Sequence, residues 1–298
     1  MMPAQPRPRF LMCRPEYFAV TYKINPWMDP NCWASDKHRL ASLSCREWTQ
    51  LHDCLADCGA ETEPVHPAPG MPDLVFTANA AVVLDGKALL SRFRYPQRQP
   101  EQARFETAFK KLVRRGVIEV VRKLPPGLVL EGAGDCVWDS ARKLFWMGHG
   151  PRSDRSARHI VANEFGVEVI AIELADLRFY HMDTALCPLT GGDVMYVPGA
   201  FTKSGLRTIR KLVEPSKRIE LCGVDAVQFA ANAVCISETV ILSGCSHGLR
   251  RDLQQRGYRV VAVPLHSFLR SGGSAFCLTL RLDLRSTEST SIRHPIAA

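Results

Sequence analysis

The stretches FTANAAVVL (residues 76–84) and FAANAVCIS (residues 229–237) decide the predicted fold, because they show that the chain repeats itself. Each contains the pattern F-x-A-N-A, followed by an apolar run typical of a short strand and then by a polar turn. A second apolar run follows each turn and ends in a serine, Ser91 in one copy and Ser243 in the other. Two copies of one strand-turn-strand unit indicate an internal repeat.

Three further segments follow the same scheme more weakly, at residues 131–138 (EGAGDCVW), 182–188 (MDTALCP) and 273–279 (GSAFCLT). One small or polar residue marks the entry to the strand in each unit, and we call these the five landmark residues: Asn79, Asp135, Asp183, Asn232 and Cys277. They are separated by 56, 48, 49 and 45 positions. Five units of similar length predict a cyclic array. In such an array the landmark residues face the pseudo-symmetry axis and converge in one site.

Helical patterns lie between these units, and a short β-rich run follows four of them. The helical patterns cover residues 35–58, 100–115, 152–165, 201–213 and 246–256, and the β-rich runs cover residues 117–121, 167–172, 218–221 and 258–264. A hairpin, a helix and a strand, repeated five times, predict one closed α/β domain over residues 10–284. The alternative is a two-domain α/β protein whose elements happen to alternate, and the F-x-A-N-A repeat favours the single domain.

The composition is that of a folded globular chain and argues against two classes of protein. Of the 298 residues, 46% are hydrophobic and 23% are charged. The formal net charge is +8, but the positive residues are spread along the chain rather than clustered in a basic arm, so nucleic-acid binding is not indicated. No apolar run in the sequence reaches the ~18 residues that a membrane helix requires, so no membrane association is expected.

Cysteine usage indicates the compartment. The chain has 11 cysteines, an odd number, and no CxxC pair. This spacing is not typical of a zinc site or of a secreted disulfide scaffold, so we expect free and mostly buried thiols in a reducing compartment, the cytoplasm. The N-terminus lacks the apolar region of a signal peptide. Residues 1–9 and 285–298 are expected to be loose ends.

The segment FYHMD, residues 179–183, carries an imidazole and a carboxylate two positions apart. It reads as a strand, on which residues i and i+2 share a face. His181 and Asp183 are therefore predicted to point together, with the carboxylate raising the pKa of the imidazole. Taken alone, a structural pair is the alternative interpretation.

Two glycine-containing segments carry the other candidate groups. LEGAGD, residues 130–135, places two acids around a turn at the start of a strand. A phosphate-binding loop is excluded, because the GK[ST] sequence is missing and the two carboxylates would repel a phosphate. RSGGSAFCLT, residues 270–279, places Cys277 after a Gly-Gly loop and before an apolar strand. A cysteine on such a loop near a cation is a candidate nucleophile, since the thiolate is the reactive form. A tight β-turn and a buried structural thiol are the alternatives.

In combination and in this order, EGAGD, FYHMD and SGGSAFC resemble the guanidine-modifying enzymes of the pentein superfamily. NPWM (residues 25–28), PDLVFTAN (72–79) and RFRYPQR (92–98) resemble the same family, so the resemblance extends over nearly the whole chain. It implies a five-bladed α/β propeller with the site on the axis, in agreement with the repeat. It also implies chemistry without a metal or an organic cofactor.

The resemblance implies a catalytic role for three residues. Cys277 matches the nucleophile and His181 matches the general acid and base. Glu131 matches the first acid of the family's E-G-G-D pattern, but the extra residue in EGAGD leaves open whether Glu131 or Asp135 takes the role. Glu131 is favoured.

The resemblance also implies a set of substrate contacts. Asp183 matches the acid that grips the guanidinium group, and Asp73 and Asn79 match two substrate-contacting acids of the dimethylarginine hydrolases, with an amide at Asn79. Arginines of the family hold the α-carboxylate and match Arg98 and Arg152 here. Asn25 is expected at the α-amino end.

The implied function is hydrolysis of the guanidino group of arginine or a methylated arginine through a covalent cysteine intermediate. FTANA together with INPWM resembles the arginine dihydrolases, so that activity is favoured over dimethylarginine dimethylaminohydrolase. Arginine deiminase and amidinotransferase are further alternatives. A non-catalytic pentein that binds a partner is the alternative from another class, but this chain keeps the Glu, His and Cys set. The expected partner is a small guanidino molecule, and a homo-oligomer stays open.

Overall fold

The computed structural model describes residues 7–287, and the described strands form five sheets of three strands each. In chain order the strands are β1 (Arg9–Cys13), β2 (Glu61–Val65), β3 (Ala81–Leu84), β4 (Lys87–Leu90), β5 (Val120–Lys123), β6 (Cys136–Asp139), β7 (Leu144–His149), β8 (Glu168–Glu173), β9 (Leu186–Pro188), β10 (Val194–Tyr196), β11 (Arg218–Glu220), β12 (Val234–Ile236), β13 (Thr239–Leu242), β14 (Arg259–Ala262) and β15 (Leu280–Arg281).

Helices connect the strands within and between these sheets. In chain order they are α1 (Pro30–Ala34), α2 (Lys37–Asp57), α3 (Glu101–Arg114), α4 (Gly132–Asp135), α5 (Ala157–Phe165), α6 (Met182–Ala185), α7 (Lys203–Leu212), α8 (Gly223–Val227), α9 (His247–Gln255) and α10 (His266–Leu269). No helix of residues 7–287 is long and apolar enough to cross a membrane.

Every sheet has the same topology, which confirms the predicted five-bladed α/β architecture. In four sheets two consecutive strands form an antiparallel hairpin and the third strand lies parallel to the second, as in β3, β4 and β5. The fifth sheet joins the two ends of the chain, because β1 pairs antiparallel with β15 and parallel with β2. This pairing closes the ring of blades.

Local sequence explains the elements of the first blade. Asp85 and Gly86 both have positive φ, 52° and 72°, as a two-residue hairpin turn between β3 and β4 requires. The helix α3 then buries one face through Phe105, Phe109 and Leu112. A glycine with a φ of 70° at Gly116 follows the end of this helix, and the parallel strand β5 completes the blade.

Several predicted boundaries differ from the structure. The helical pattern at 35–58 forms helix α2, and α1 precedes it outside the predicted range. The pattern at 152–165 becomes helical only in α5. The β-rich run predicted at 117–121 forms strand β5, at 120–123. Val117 and Ile118 instead pack against the core of the first blade.

The predicted loose ends and buried thiols also need correction. Arg9 lies in strand β1, and Ser286 donates hydrogen bonds to Asp85 from its backbone N–H and its hydroxyl, so both ends of the described chain are attached to the domain. Residues 1–6 and 288–298 lie outside the described residues. All 11 cysteines are free, but only four are buried, so the expectation of mostly buried thiols is wrong.

The landmark residues all lie at the same end of the blades. Asn79 and Asn232 each come two positions before the first strand of a hairpin, β3 or β12. Asp135 and Asp183 lie in the one-turn helices α4 and α6, which lead directly into β6 and β9. Because one end of every blade faces the centre of the ring, the four side chains and Cys277 come close together, as predicted.

Candidate active site

Glycines in the EGAGD segment allow neighbouring blades to approach each other closely. Gly132 has a φ of 61°, and a Cβ there would lie 2.8 Å from the carbonyl oxygen of Ala78. At Gly134 a Cβ would lie 2.1 Å from Nδ2 of Asn79 and 3.4 Å from Nδ1 of His181. The EGAGD segment can therefore bring its two acids beside these two side chains only because both positions lack a side chain.

Glu131, His181 and Arg152 form a buried ionic cluster. Oε2 of Glu131 lies 2.8 Å from Nε2 of His181 and 3.0 Å from Nη1 of Arg152. Burial alone would raise the pKa of Glu131, but the Arg152 cation and the His181 hydrogen bond lower it to about 2. Burial lowers the pKa of His181 to about 4 against the pull of Glu131, so its imidazole is neutral at pH 7. A neutral imidazole held by an ionised carboxylate is ready to accept a proton.

The predicted pairing of His181 with Asp183 on a strand is wrong. His181 has extended backbone and immediately precedes α6, and β9 begins only at Leu186. The helical turn separates the two side chains, so the carboxylate beside the imidazole is that of Glu131. The predicted rise in the pKa of His181 is also wrong, because burial outweighs the neighbouring charge.

Cys277 lies between Asp183 and Asn232, and all three are buried. Its Sγ donates to Oδ2 of Asp183 at 3.1 Å and accepts from Nδ2 of Asn232 at 3.1 Å. Burial and the Asp183 charge raise the pKa of the Cys277 thiol well above its usual value. Burial also raises the pKa of Asp183 to about 7, against the hydrogen bond from Cys277. The resting sulfur is thus a thiol, and a cation bound beside it would favour the thiolate.

Asp135 is adjacent to this cluster, but both of its oxygens are used within the protein. Oδ2 lies 2.5 Å from the hydroxyl of Ser153, and Oδ1 accepts from the backbone N–H of Met182 at 3.2 Å. Ser153 in turn accepts from the backbone N–H of Glu131 at 3.0 Å. These contacts connect the backbone beside Glu131 to the helix that follows His181.

Arg98 holds the Asn79 side chain in one orientation. Its Nη1 donates to Oδ1 of Asn79 at 2.8 Å, and Nη2 donates to the backbone oxygen of Asp73 at 3.1 Å. Glu101, fully buried, pairs with the same guanidinium at 2.8 Å. Because a guanidinium group only donates hydrogen bonds, Oδ1 of Asn79 must face Arg98. Nδ2 therefore faces the backbone oxygen of Glu131, 3.3 Å away.

Arg152 is held by aromatic rings as well as by charge. Its guanidinium carbon lies 4.7 Å from the ring centre of Tyr95 and 4.5 Å from that of Tyr180. Nη2 donates to the backbone oxygen of Ile24 at 3.1 Å. The two arginines predicted to bind a carboxylate, Arg98 and Arg152, thus both lie at the site and both make contacts within the protein.

The remaining predicted residues lie on the side of the site that faces the Gly-Gly loop. Oδ2 of Asp73 accepts from the hydroxyl of Tyr22 at 2.8 Å. Nδ2 of Asn25 donates to the backbone oxygen of Ser271 at 2.9 Å, and the hydroxyl of Tyr180 donates to that of Gly272 at 2.9 Å. The contacts of Asn25 and Tyr180 attach the Gly-Gly loop to two other segments of the site.

Several buried polar atoms at the site have no hydrogen-bond partner among the described residues. They are Oδ1 of Asp73, Oδ1 of Asp183 and the hydroxyl oxygens of Ser271 and Ser274. Buried polar groups are normally paired, so these atoms point to a polar ligand. Two carboxylate oxygens suit a ligand with donors at both ends, such as an amino acid with a guanidinium side chain.

Sequence reasoning assigned no role to some residues at the site. The sequence identifies Asn232 only as a landmark of the repeat, and its position in the second F-x-A-N-A copy is the signal for a role at the site. Glu101 lies three positions after Arg98 at the start of α3, a spacing typical of an ion pair. Nothing in the sequence marked Tyr22 or Tyr180.

Comparison with known proteins identifies the family of the chain. Residues 14–284 match the family described as "N,N dimethylarginine dimethylhydrolase, eukaryotic". The bifunctional arginine dihydrolase/ornithine cyclodeaminase ArgZ of Synechocystis sp. is 40% identical over 274 residues, which are 92% of this chain and 37% of ArgZ. An N(G),N(G)-dimethylarginine dimethylaminohydrolase of Mycobacterium tuberculosis is 32% identical, and the match covers 92% of this chain and 85% of that protein. The chain thus spans well under half the length of the bifunctional relative.

Solved structures give the same result for the fold. The N-terminal domain of ArgZ, a cyanobacterial arginine dihydrolase, was solved as a Cys-to-Ser mutant with bound substrate. It matches this structure with a TM-score of 0.87 and 37% sequence identity, and the match covers 94% of this chain and 100% of the ArgZ domain. Unliganded AgrE has a TM-score of 0.88 and 40% identity, covering 95% of this chain and 40% of that one.

The fold, with buried Cys, His, Glu and Asp side chains gathered at one site, is that of the pentein superfamily. Within that class, the chain belongs to the dimethylarginine dimethylhydrolase family.

Proposed function

We propose that this chain is an arginine dihydrolase, which uses two molecules of water to convert arginine to ornithine, two molecules of ammonia and carbon dioxide. The observation that carries the proposal is the buried Cys277 thiol bound to Asp183 beside the Glu131 and His181 pair. The ArgZ and AgrE relatives, named as arginine dihydrolases, support the choice of reaction. The free thiols support a reducing compartment, and we propose the cytoplasm.

The substrate is bound at its two ends. Oδ1 of Asp183, which lacks a partner among the described residues, accepts from the planar guanidinium group in a charge-assisted hydrogen bond. Oδ1 of Asp73 accepts from the α-ammonium group in the same way, beside the loop that Asn25 contacts. For the α-carboxylate we propose the two arginines of the site, Arg98 and Arg152, each of which also pairs with a buried glutamate, Glu101 or Glu131.

The first half of the reaction replaces one guanidino nitrogen by sulfur. Binding of the cationic substrate favours the Cys277 thiolate, which attacks the central guanidinium carbon. The proton lost by the Cys277 thiol passes to the neutral His181, whose protonated form is stabilised by Glu131 at 2.8 Å. His181 then donates this proton to the departing nitrogen, which leaves as ammonia. The product of this half is a thiouronium group covalently bound to the sulfur.

The second half releases the sulfur. His181, now neutral, removes a proton from water, and the resulting hydroxide adds to the thiouronium carbon. Collapse of the adduct expels the Cys277 thiolate and leaves citrulline, with a neutral ureido group. ArgZ has been solved as an Asn-to-Ser variant covalently bound to a reaction intermediate, which supports a covalent route in that relative.

Asn79 allows the ureido group to react again. Its Oδ1 faces Arg98, so its Nδ2 is the atom presented toward Gly134 and His181. An N–H can hold the ureido oxygen, which a carboxylate would repel. A second attack by Cys277 with loss of ammonia, and hydrolysis of the resulting thiocarbamate, yield ornithine and carbon dioxide. Asp135 contributes by holding the backbone beside Glu131 and His181 in place.

Dimethylarginine dimethylaminohydrolase is the second candidate, because the family model and the Mycobacterium tuberculosis relative carry that activity in their names. Its products are citrulline and dimethylamine. The two candidates share the first half of the mechanism and differ in which substrate enters and whether citrulline is released.

The test is separate incubation of the full chain with arginine, asymmetric dimethylarginine and citrulline, with the products resolved by mass spectrometry. The proposal requires ornithine and two equivalents of ammonia from arginine, slow consumption of citrulline, and no product with Cys277→Ser. Dimethylamine release without turnover of arginine would establish the second candidate. If citrulline were the final product from arginine, the activity would be that of an arginine deiminase.

A further inference from the structure

The second copy of F-x-A-N-A places Asn232 directly against the candidate nucleophile. Nδ2 of this buried side chain lies 3.1 Å from Sγ of Cys277 and 3.2 Å from the backbone oxygen of Asp183. Oδ1 accepts from the backbone N–H groups of Ser274 and Cys277, both at 3.1 Å. One carboxamide therefore contacts the sulfur, the backbone of the residue that bears it, and the segment that carries the guanidinium-binding acid.

These contacts fix the orientation of the carboxamide. Only the oxygen of the carboxamide can accept hydrogen bonds from two backbone N–H groups, so Oδ1 must face Ser274 and Cys277. Nδ2 is then the atom that faces the sulfur. The backbone N–H of Phe276 donates to the backbone oxygen of Asn232 at 3.2 Å, so the same residue also holds the turn that precedes the nucleophile.

We propose that Asn232 is a positioning residue for Cys277, which fixes the sulfur next to Asp183 and stabilises the thiolate by donating a hydrogen bond to it. This inference rests on the proposed function, in which Cys277 attacks the substrate. An N–H donor stabilises an anionic acceptor more than a neutral one, so the contact strengthens as the thiol loses its proton. The hydrogen bond from Asn232 lowers the pKa of the Cys277 thiol, whereas the Asp183 charge raises it.

The first copy of the motif shows that this role belongs to Asn232 alone. Asn79 has the equivalent position in its blade, but its Oδ1 accepts from Arg98 and its Nδ2 donates to the backbone oxygen of Glu131. The two asparagines thus share one structural task, donation to a backbone oxygen of a neighbouring blade. Only Asn232 adds a contact to the sulfur.

The test measures the sulfur directly. Full-length protein is alkylated with iodoacetamide across a range of pH, and the rate at the peptide that contains Cys277 is followed by mass spectrometry. In this reaction the thiolate displaces iodide, so the rate profile reports the pKa of the thiol independently of arginine turnover. Asn232→Asp keeps an oxygen for the two backbone N–H groups but replaces the donor that faces the sulfur.

We expect Asn232→Asp to raise the pKa of Cys277 by about one to two pH units and to lower kcat for arginine about tenfold to a hundredfold, with KM changed less than threefold. Asn232→Ala should shift the profile in the same direction and serves if the Asp variant does not fold. Thr279→Val is the matched control, because it removes a hydroxyl that binds only the backbone oxygens of Ala275 and Phe276. It should leave the pKa unchanged.

An unchanged alkylation profile in folded Asn232→Asp and Asn232→Ala would overturn the proposal, even if kcat fell, because a purely structural role does not predict a shifted thiol. If the wild type did not turn over arginine but its profile shifted with Asn232, the proposed function would fail and the positioning role would stand.

Discussion

Replacement of Asn79 by Asp should change where the reaction stops. In the structure, Oδ1 of Asn79 accepts from Arg98 at 2.8 Å and Nδ2 lies 3.3 Å from the backbone oxygen of Glu131. In Asn79→Asp the contact with Arg98 is kept, and a second carboxylate oxygen replaces Nδ2. That oxygen faces a carbonyl oxygen and, after the first ammonia has left, also faces the ureido oxygen of citrulline. The variant should therefore release citrulline that the wild type processes further.

The magnitude follows from the hydrogen bond that is lost. One well-placed hydrogen bond in a buried site is worth ~1–3 kcal/mol, which corresponds to a change of roughly fivefold to more than a hundredfold in a rate ratio. We expect the ratio of ornithine to citrulline formed from arginine to fall by about tenfold or more. Consumption of arginine should fall much less, since a carboxylate still suits a guanidinium group.

The assay is a time course of isotope-labelled arginine with ornithine, citrulline and ammonia quantified together. Thr77→Val is the control, because Thr77 lies in the same turn and its hydroxyl contacts only the backbone oxygens of Leu11 and Leu278. The control should keep the wild-type product ratio. An Asn79→Asp variant that produced ornithine at the wild-type ratio would refute the reasoning.

Four further outcomes are expected. His181→Gly should lose nearly all ammonia release. Ammonia release close to the wild-type rate would show that His181 does not transfer the proton. Glu131→Gln should lower kcat/KM by about a hundredfold or more, because it removes the charge that stabilises protonated His181 and pairs with Arg152 at 3.0 Å. Asp135→Asn should instead lower the free energy of unfolding, measured in urea, by about 1–3 kcal/mol. It should lower kcat/KM less than Glu131→Gln does. Below the pKa of about 7 of Asp183, kcat/KM should fall about tenfold per pH unit, since a protonated Asp183 cannot pair with a cation; a flat profile from pH 5 to 7 would contradict that assignment.

The sequence alone was sufficient for the architecture because the repeat leaves a visible pattern. Two clear copies of F-x-A-N-A and three weaker ones identified all five blades and the residues that meet on the axis. The closing blade was less apparent. Its strands β1 and β2 lie on either side of helices α1 and α2, and β15 comes from the other end of the chain. Pairing between distant segments leaves no local periodicity in the sequence.

The details of the site were harder to predict, for a physical reason. FYHMD has the alternation of a strand, but the chain forms a helical turn at α6 and so separates His181 from Asp183. The partner of His181 is instead Glu131, 50 positions away in sequence. Burial then decides the sign of the pKa shift of His181, and burial depends on the packing of all the blades. The family resemblance predicted residues that the structure brings together, and their contacts could be read only from the structure.

The central claim is that Cys277 forms a covalent bond with the guanidino carbon of the substrate. The direct measurement is an acid quench of the wild type during turnover of arginine, followed by mass spectrometry of the peptide that contains Cys277. The account predicts an added mass equal to arginine less one ammonia on this peptide and on none of the other ten cysteines. Turnover of arginine with no adduct on Cys277, or with undiminished ammonia release by Cys277→Ser, would contradict it.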